Sequence, residues 1–386
     1  YLPQRRMAIV DGVSKPAKWD RQTYTVLEDG PTGAETVSEF KSHLVFSKDN
    51  KLIISAPNQD ENYSGVDGAV EINVGDKIMN IASWQDNLII LCNNSIFVLS
   101  GTSSFDFQLR PISKNLGCVA PDTVQEVAGE LLFLSPDGVR PIKAIETTGD
   151  FAIGSISRKI RNRVRELENQ YGGADISSMV LRSRSQYRLF FANSITPRPD
   201  SEGLLMGIRE TLEGEQDWEW SELRGIKASC SYSAYSGFVE IGVFGGYDGY
   251  VYQLENGSNF DGNPVNEVYK TPYLVFNDPL VRDTLREIYA HIINEGTLSL
   301  SVDIDFDYGK PNTLTPPTRQ IFSNEPVSTF DLTFGTSTFF EGSPQVAQAN
   351  LTGTGYNASL KFTSDNNSAP YIIQEFVLDK LGNGRR

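Results

Sequence analysis

The sequence predicts an all-β fold in two domains. A β-propeller-like domain of hairpin repeats about 44 residues apart covers 1–268, with one helical insertion at about 155–170, and a C-terminal β-sandwich-like domain covers 269–386. Three patterns carry this expectation. A turn flanked by two apolar runs recurs along the first two thirds of the chain, one short segment carries a helical apolar stripe, and strict alternation of apolar and polar residues appears near residue 300.

The hairpin copies read HLVFSKDNKLIIS at 43–55, NLIILCNNSIFVLSG at 87–101, ELLFLSPDGVRPIKA at 130–144 and VEIGVFGGYDGYVYQLENG at 239–257, with a looser copy, QYRLFFANS, at 186–194. Asp, Asn and Gly at the turns supply the positive φ that tight hairpins require. The first strands begin near Leu44, Leu88 and Leu131, spacings of 44 and 43 residues. Four short strands repeating at that period are the pattern of propeller blades. The upstream part of a unit is visible in DTVQEVAGELLFLSPDG and KIMNIASWQDNLIILCNN, where a short strand precedes each hairpin. In the last copy, Asp248-Gly249 is the expected turn, and Val251 and Leu254 are the expected packing positions.

The helical insertion is SISRKIRNRVRELENQ, with Ile156, Ile160, Val164 and Leu167 on one stripe. The opposite surface carries Arg158, Lys159, Arg161, Arg163 and Arg165, then Glu166 and Glu168. Packed on the propeller, this would be a solvated basic face. As an interface helix, the same five cations would form a candidate subunit or partner interface, docking on an acidic neighbour or on phosphate.

After the Asn/Gly-rich segment 255–267, a second domain is expected. Leu298, Leu300, Val302, Ile304, Phe306 and Tyr308 alternate with Thr297, Ser299, Ser301, Asp303, Asp305 and Asp307, which reads as a half-buried strand. GYNASLKFTS and APYIIQEFVLDKLG read as a further strand pair, with low-complexity connections between about 309 and 354. Asp303, Asp305 and Asp307 resemble half of a calcium loop, but Tyr308 stands where that loop needs Gly and the distal Glu is missing. An acidic surface stripe is the better account.

Composition narrows function. At 39% hydrophobic residues and a mean hydropathy of -0.30 the chain reads as a soluble globular protein, and no run of about 18 apolar residues suggests a membrane-spanning helix. The start, YLPQRRMAIVDG, lacks a signal-peptide apolar core and an initiator Met, so it reads as a trimmed or processed N-terminus. Three dispersed cysteines and two histidines, His43 and His291, leave little material for zinc sites or His-based triads. Motifs for hydrolases and nucleotide binding are missing as well, so no enzyme, cofactor or metal is expected. A net charge of -15 opposes sequence-reading contact with nucleic acid. Trp218 and Trp220 in DWEWSELRG share a strand face; core packing is favoured over sugar stacking.

LGCVAPDTVQEVAGELLFLSPDGVRPI at 116–142, the segment from Trp218 to Gly225, GGYDGYVYQLENG and KTPYLVFNDPLVRDTLREIY together resemble the tail nozzle proteins of short-tailed bacteriophages, also called tail tubular protein B. The resemblance runs from about Leu44 to the terminal Gly-Arg-Arg, through short motifs, and family members are usually longer. It implies a virion protein, a homo-hexameric tube below the adaptor ring at the portal, with tail fibres or spikes at the upper junction and double-stranded DNA passing through. A DNA conduit should be negative or neutral inside, which fits the net charge. Asp303, Asp305 and Asp307 are then a candidate acidic lumen or rim surface. The competing class is a stand-alone β-propeller adhesin or lectin binding host-surface glycans through Trp218, Trp220, Tyr247 and Tyr250. A glycosidase has the weakest support.

Overall fold

The four hairpin copies at 43–55, 87–101, 130–144 and 239–257 form, with Asp, Asn or Gly at their turns. His43–Lys48 pairs with Lys51–Ile54, Asn87–Cys92 with Ile96–Ser100, Glu130–Ser135 with Gly138–Pro141, and Val239–Gly246 with Val251–Gln253. Asp49 and Gly249 take the positive φ their turns need, 50° and 86°. The expected upstream strands are present too: Ile78–Trp84 and Gln125–Val127 each pair with the hairpin that follows. The looser copy supplies Gln186–Phe191, central between Ile176–Leu181 and Glu202–Glu210.

The computed structural model describes residues 7–143, 145, 154–171, 176–191, 202–210, 216–257, 259–276, 278–294, 298–309, 318–323, 345–364 and 371–383. The end of the looser hairpin copy at 192–194 and the terminal Gly-Arg-Arg lie outside these residues. Among the described residues the fold is all-β, with an α-helix of 11 residues at Arg161–Tyr171, and the chain divides into two units, Tyr1–Leu254 and Glu255–Arg386. The expected boundary at 268/269 falls inside the strand Glu267–Lys270, which pairs with Lys361–Ser364 and so belongs with the second unit.

In the first unit the described strands form six antiparallel sheets, each built from strands adjacent in sequence, at 7–26, 36–73, 78–113, 125–141, 176–224 and 228–253. They are called the first to sixth sheets below. Each packs on the next, and the apolar runs explain how. In NLIILC, Leu88 and Ile90 enter the core shared with the second sheet, whereas Ile89 and Leu91 enter the core shared with the fourth. In ELLFLS, Leu131 and Phe133 face the third sheet, and Leu132 and Leu134 face the fifth. A strand buried on both faces needs apolar residues at every position, so these runs are continuous instead of alternating.

At three of the junctions the first strands of successive sheets lie side by side, Thr36–Phe40 against Ile78–Trp84 and Gln125–Val127 against Ile176–Leu181, which in turn meets Ala228–Ser236. Polar side chains stitch them together. Asn80 Nδ2 donates to the Pro121 carbonyl at 2.6 Å, Trp84 Nε1 to Gly129 at 3.2 Å, Gln125 Nε2 to Ser178 at 3.3 Å, and Ser178 Oγ to Asp122 at 2.7 Å. Gly117 lies so close to the Cys92 and Asn93 carbonyl oxygens that a Cβ there would stand 2.3 Å from both.

In the second unit two antiparallel sheets share one core. Asn357–Ser364 pairs with Glu267–Lys270 and with Leu298–Phe306, whereas Tyr371–Asn383 pairs with Arg282–Asn294. The two strands expected to pair with each other therefore lie in different sheets. Gln345–Gly355, expected to be a low-complexity connection, is a strand on the other edge of Arg282–Asn294. The alternation near residue 300 holds: Leu300, Val302, Ile304 and Phe306 are buried, and the Phe306 ring lies over Gly353 and Gly355, where a Cβ would come within 2.6 Å of it.

Candidate functional site

The basic helix is anchored within its own chain. Residues 158–160 form a 3-10 turn that runs into the α-helix Arg161–Tyr171, and Val164, Leu167 and Tyr171 are buried with Ile156 and Ile160 packed beside them. Opposite lies one face of the fifth sheet. Leu204 and Met206 on Glu202–Glu210 and Trp218 and Trp220 on Gln216–Arg224 join the same core, and Trp220 Nε1 donates to the Ile156 carbonyl at 3.1 Å. The two tryptophans are thus packing residues.

Two of the five basic residues are committed to this contact. Lys159 Nζ binds the Asp217 carboxylate at 2.8 and 3.0 Å. Arg163 reaches three carboxylates, Glu202 at 2.8 Å and Glu166 and Glu222 at 3.0 Å. Burial works against the Arg163 charge, but these carboxylates outweigh it and push its pKa up. Arg161 is half-buried, and its charge helps to hold Asp137 ionised. Arg158 and Arg165 are exposed. Of the carboxylate partners the sequence placed only Glu166 on this surface; Glu202, Asp217 and Glu222 were not picked out, although Glu222 shares its strand face with the two tryptophans by period-two spacing.

Beneath the helix lies a buried charged cluster. Arg140 is fully buried, and its Nε donates to Asp137 Oδ1 at 2.9 Å. Burial raises the Asp137 pKa, but Arg140 and Ser135 reverse the effect and hold the carboxyl low. Glu168 has no such compensation: desolvation first, then Asp137, pushes its pKa up to about 7, against a smaller opposing pull from Arg165.

The three aspartates do not form one stripe. Asp303 and Asp305 lie half-buried on the strand; Asp303 accepts from Thr318 Oγ1, and Asp305 pairs with Lys270 at 2.8 Å. Asp307 lies beyond the strand end, where the chain turns with φ 50°, and is 7% exposed. Its carboxylate accepts the Tyr356 N–H at 2.8 Å and meets Arg282 at 3.2 Å. Asp307 therefore leaves the candidate acidic surface, because the backbone turn redirects its side chain inward to cap a neighbouring loop. The two remaining members each have a partner, one of them cationic.

In the last hairpin Asp248 ties the turn, accepting from the Tyr252 hydroxyl and from the Tyr250 N–H, and these bonds hold its pKa low. Leu254 is buried as expected, but Val251 is 76% exposed, so it is not a packing position within the unit. Tyr250 is exposed as well.

An open cavity of about 610 Å³ is lined by Asp29, Asn58, Asp60, Glu61 and Tyr63, with Lys18 Nζ 3.6 Å from Asp60 and also bonded to Glu61. Cys92 and Cys118 are free and buried, and burial pushes both thiols up to about 12, so they are poor nucleophiles. His43 is buried with Nδ1 2.6 Å from the Ser55 carbonyl. Among the described residues no three His, Cys, Asp or Glu side chains are placed to hold a metal ion, and no helix is long and apolar enough to cross a membrane.

Comparison with protein families finds no match, and comparison with curated proteins finds none. Among solved structures, the chain is similar to the N-terminal domain of Nup159, with 12% identity, 62% of this chain and 67% of that chain covered, and a TM-score of 0.35. It is also similar to a Saccharomyces cerevisiae assembly of a Dbp5 variant bound to Nup159, a Gle1 variant, IP6 and ADP, at 10% identity, 93% and 94% coverage and a TM-score of 0.30. A third likeness is to a glycoside hydrolase family 43 arabinoxylan arabinofuranohydrolase from Bacillus subtilis in complex with cellotetraose, at 9% identity, 97% and 75% coverage and a TM-score of 0.24. Likenesses this distant carry no argument about function.

Proposed function

We propose that the chain is a non-enzymatic structural subunit of a phage tail nozzle, a homo-oligomeric tube below the portal and adaptor through which double-stranded DNA passes into the host. The 44-residue hairpin repeats are, in this reading, propeller blades, and the second unit is a sandwich-like module. The observation that carries it is the run of sheets built from sequence-adjacent strands, each packed on its successor, with first strands side by side from the second sheet to the third and from the fourth through the fifth to the sixth. That is how blades succeed one another around an axis. The resemblance of the hairpin and linker motifs to tail nozzle proteins supplies the tube, the six-fold ring, the adaptor and fibre partners and the location in the virion. The net charge of -15 suits a wall that DNA must slide past.

Asp303 and Asp305 remain candidate lumen or rim residues, whereas the helix cations Lys159 and Arg163 serve first to dock the helix. The glycan-binding alternative retains Tyr247 and Tyr250, since Trp218 and Trp220 pack under the helix. Electron microscopy of the purified chain tests the reading: rings with a central opening are expected. Single particles at every concentration, together with binding to a glycan array, would overturn it.

A further inference from the structure

Around the hairpin turn at Asp137, three polar atoms are shut off from solvent and have no hydrogen-bond partner among the described residues: Nη1 of Arg140, Nε of Arg161 and Oε1 of Glu168. The other two nitrogens of the Arg140 guanidinium are engaged by Asp137, Nε at 2.9 Å and Nη2 at 2.5 Å. Arg140 and Arg161 hold Asp137 ionised, and the Asp137 charge in turn bears on Glu168. Against it stands Arg165, which is exposed and exerts the smaller pull. The carboxylates of the fifth sheet that meet the helix, Asp217, Glu202 and Glu222, are taken up by Lys159 and Arg163. A buried, unpartnered oxygen is tolerable on a neutral carboxylic acid and costly on a carboxylate.

The two ends of the helix are held differently. Its lead-in is stitched to the hairpin strand Gly138–Pro141: the Ile156 N–H donates to the Val139 carbonyl at 3.0 Å, and the Val139 N–H donates to Ser157 Oγ at 3.0 Å. Gly138 permits this approach, since a Cβ there would stand 2.2 Å from Ser157 Oγ. Lys159 and Arg163 then pin the first turns to the fifth sheet. From Val164 onward the contacts are chiefly apolar, with Val164, Leu167 and Tyr171 in one core with Leu134, Val139 and Leu204. Glu168 sits in the middle of this second stretch.

We propose that the last two turns of the helix, Val164 to Tyr171, are a proton-operated latch: they lie docked while Glu168 is protonated, and on its deprotonation they lift from the hairpin while the helix start stays in place. Deprotonation puts a second negative charge beside Asp137 and leaves a carboxylate oxygen buried without a donor. Lifting relieves both, because it returns Glu168 to water and separates it from Asp137. The cost is the apolar contact of Val164, Leu167 and Tyr171, a small part of the core of the unit, so opening is local and not global. The ion pairs of Lys159 and Arg163 persist and act as the hinge. Burial and Asp137 place the change near neutrality, since they push the Glu168 pKa up to about 7. The latch belongs to a single copy, so it stands or falls apart from the oligomeric-tube reading.

Amide hydrogen exchange of the full chain, read by mass spectrometry on peptides covering 164–171 and corrected for the intrinsic pH dependence of exchange, tests the latch. A carboxyl that loses its proton near 7 when docked and near 4.5 when released favours the released form progressively as pH rises between those values and no further above them. The opening equilibrium of 164–171 should therefore rise at least about tenfold from about pH 5 to pH 8, level off above 7, and reverse on return to acid. Peptides from the hairpin His43–Ile54 should show no such rise. In Glu168→Gln the opening should stay at its acidic level throughout. Glu166→Gln, on the same helix with a side chain 63% exposed, should keep the rise of the natural chain. Opening that is flat with pH in the natural chain overturns the latch, as does a rise that persists in Glu168→Gln. A rise of equal size in 43–54 would mean that the whole unit loosens, and it too would overturn the proposal, whichever way the variants behave.

Discussion

Replacing Arg163 with Met separates a helix docked by its own chain from a helix reserved for a partner. The Arg163 side chain is 22% exposed and that of Glu202 21%, whereas Glu222 and Glu166 are 42% and 63% exposed. The pair with Glu166 lies along the helix in solvent and contributes a few tenths of a kcal/mol. The pair with Glu222 adds about as much again after screening. The pair with Glu202 is the costly one to break, because among the described residues that carboxylate would keep the Tyr171 hydroxyl alone, at 3.2 Å. A charge-assisted bond lost in a part-buried site costs about 2 kcal/mol. Together the expected loss is about 2–3 kcal/mol, against less than about 0.5 kcal/mol for Arg158→Met on the exposed 3-10 turn. The four tryptophans, Trp19, Trp84, Trp218 and Trp220, all lie in the first unit. Denaturation followed by their fluorescence therefore reports that unit, although the whole chain need not unfold in two states. Equal midpoints for the two variants would refute the docking network. A normal midpoint with a lost oligomer for Arg163→Met would return the helix to the role of a subunit interface.

Glu168→Gln should flatten the pH dependence of stability. With a folded pKa near 7 against 4.5 unfolded, Glu168 holds its proton in the fold after the unfolded chain has released it, so stability falls as pH rises from about 4.5 to about 7 and levels above. At pH 8 the variant should be more stable by roughly 1–2 kcal/mol, discounted for partial exposure, in denaturant titrations; an unchanged pH slope would contradict this. Gly117→Ala should cost at least about 2–3 kcal/mol, because the new methyl meets backbone oxygens that cannot rotate away; a wild-type melting temperature would contradict it. Asp307→Ala should loosen the loop at Tyr356 and raise amide exchange there, whereas Asp303→Ala should leave that amide unchanged; exchange that is equal in the two variants would remove Asp307 from its capping role.

Much of the fold was legible because local chemistry and long-range packing agree. The hairpins announce themselves by Asp, Asn and Gly at turns between apolar runs, and the helix by its stripe from Ile156 to Leu167. What escaped reading depends on distance or on a single torsion. Glu202 stands 39 residues from Arg163, so no window on the sequence pairs them. Asp307 continues the alternation of DIDFD, yet the strand ends at Phe306 and the positive φ at Asp307 turns the chain, which periodicity cannot register. The first sheet was missed because its strands, Met7–Ile9, Ala17–Trp19 and Tyr24–Val26, are three residues each, too short for a period-two count. Val251 followed the expected pattern of an inward position, but its face belongs to the outward side of the last sheet in the series.

The mass of the assembled chain in solution tests the tube most directly. Native mass spectrometry across a concentration series should give a species of six times 42.8 kDa as the dominant closed form. A single-chain mass at every concentration would contradict the account.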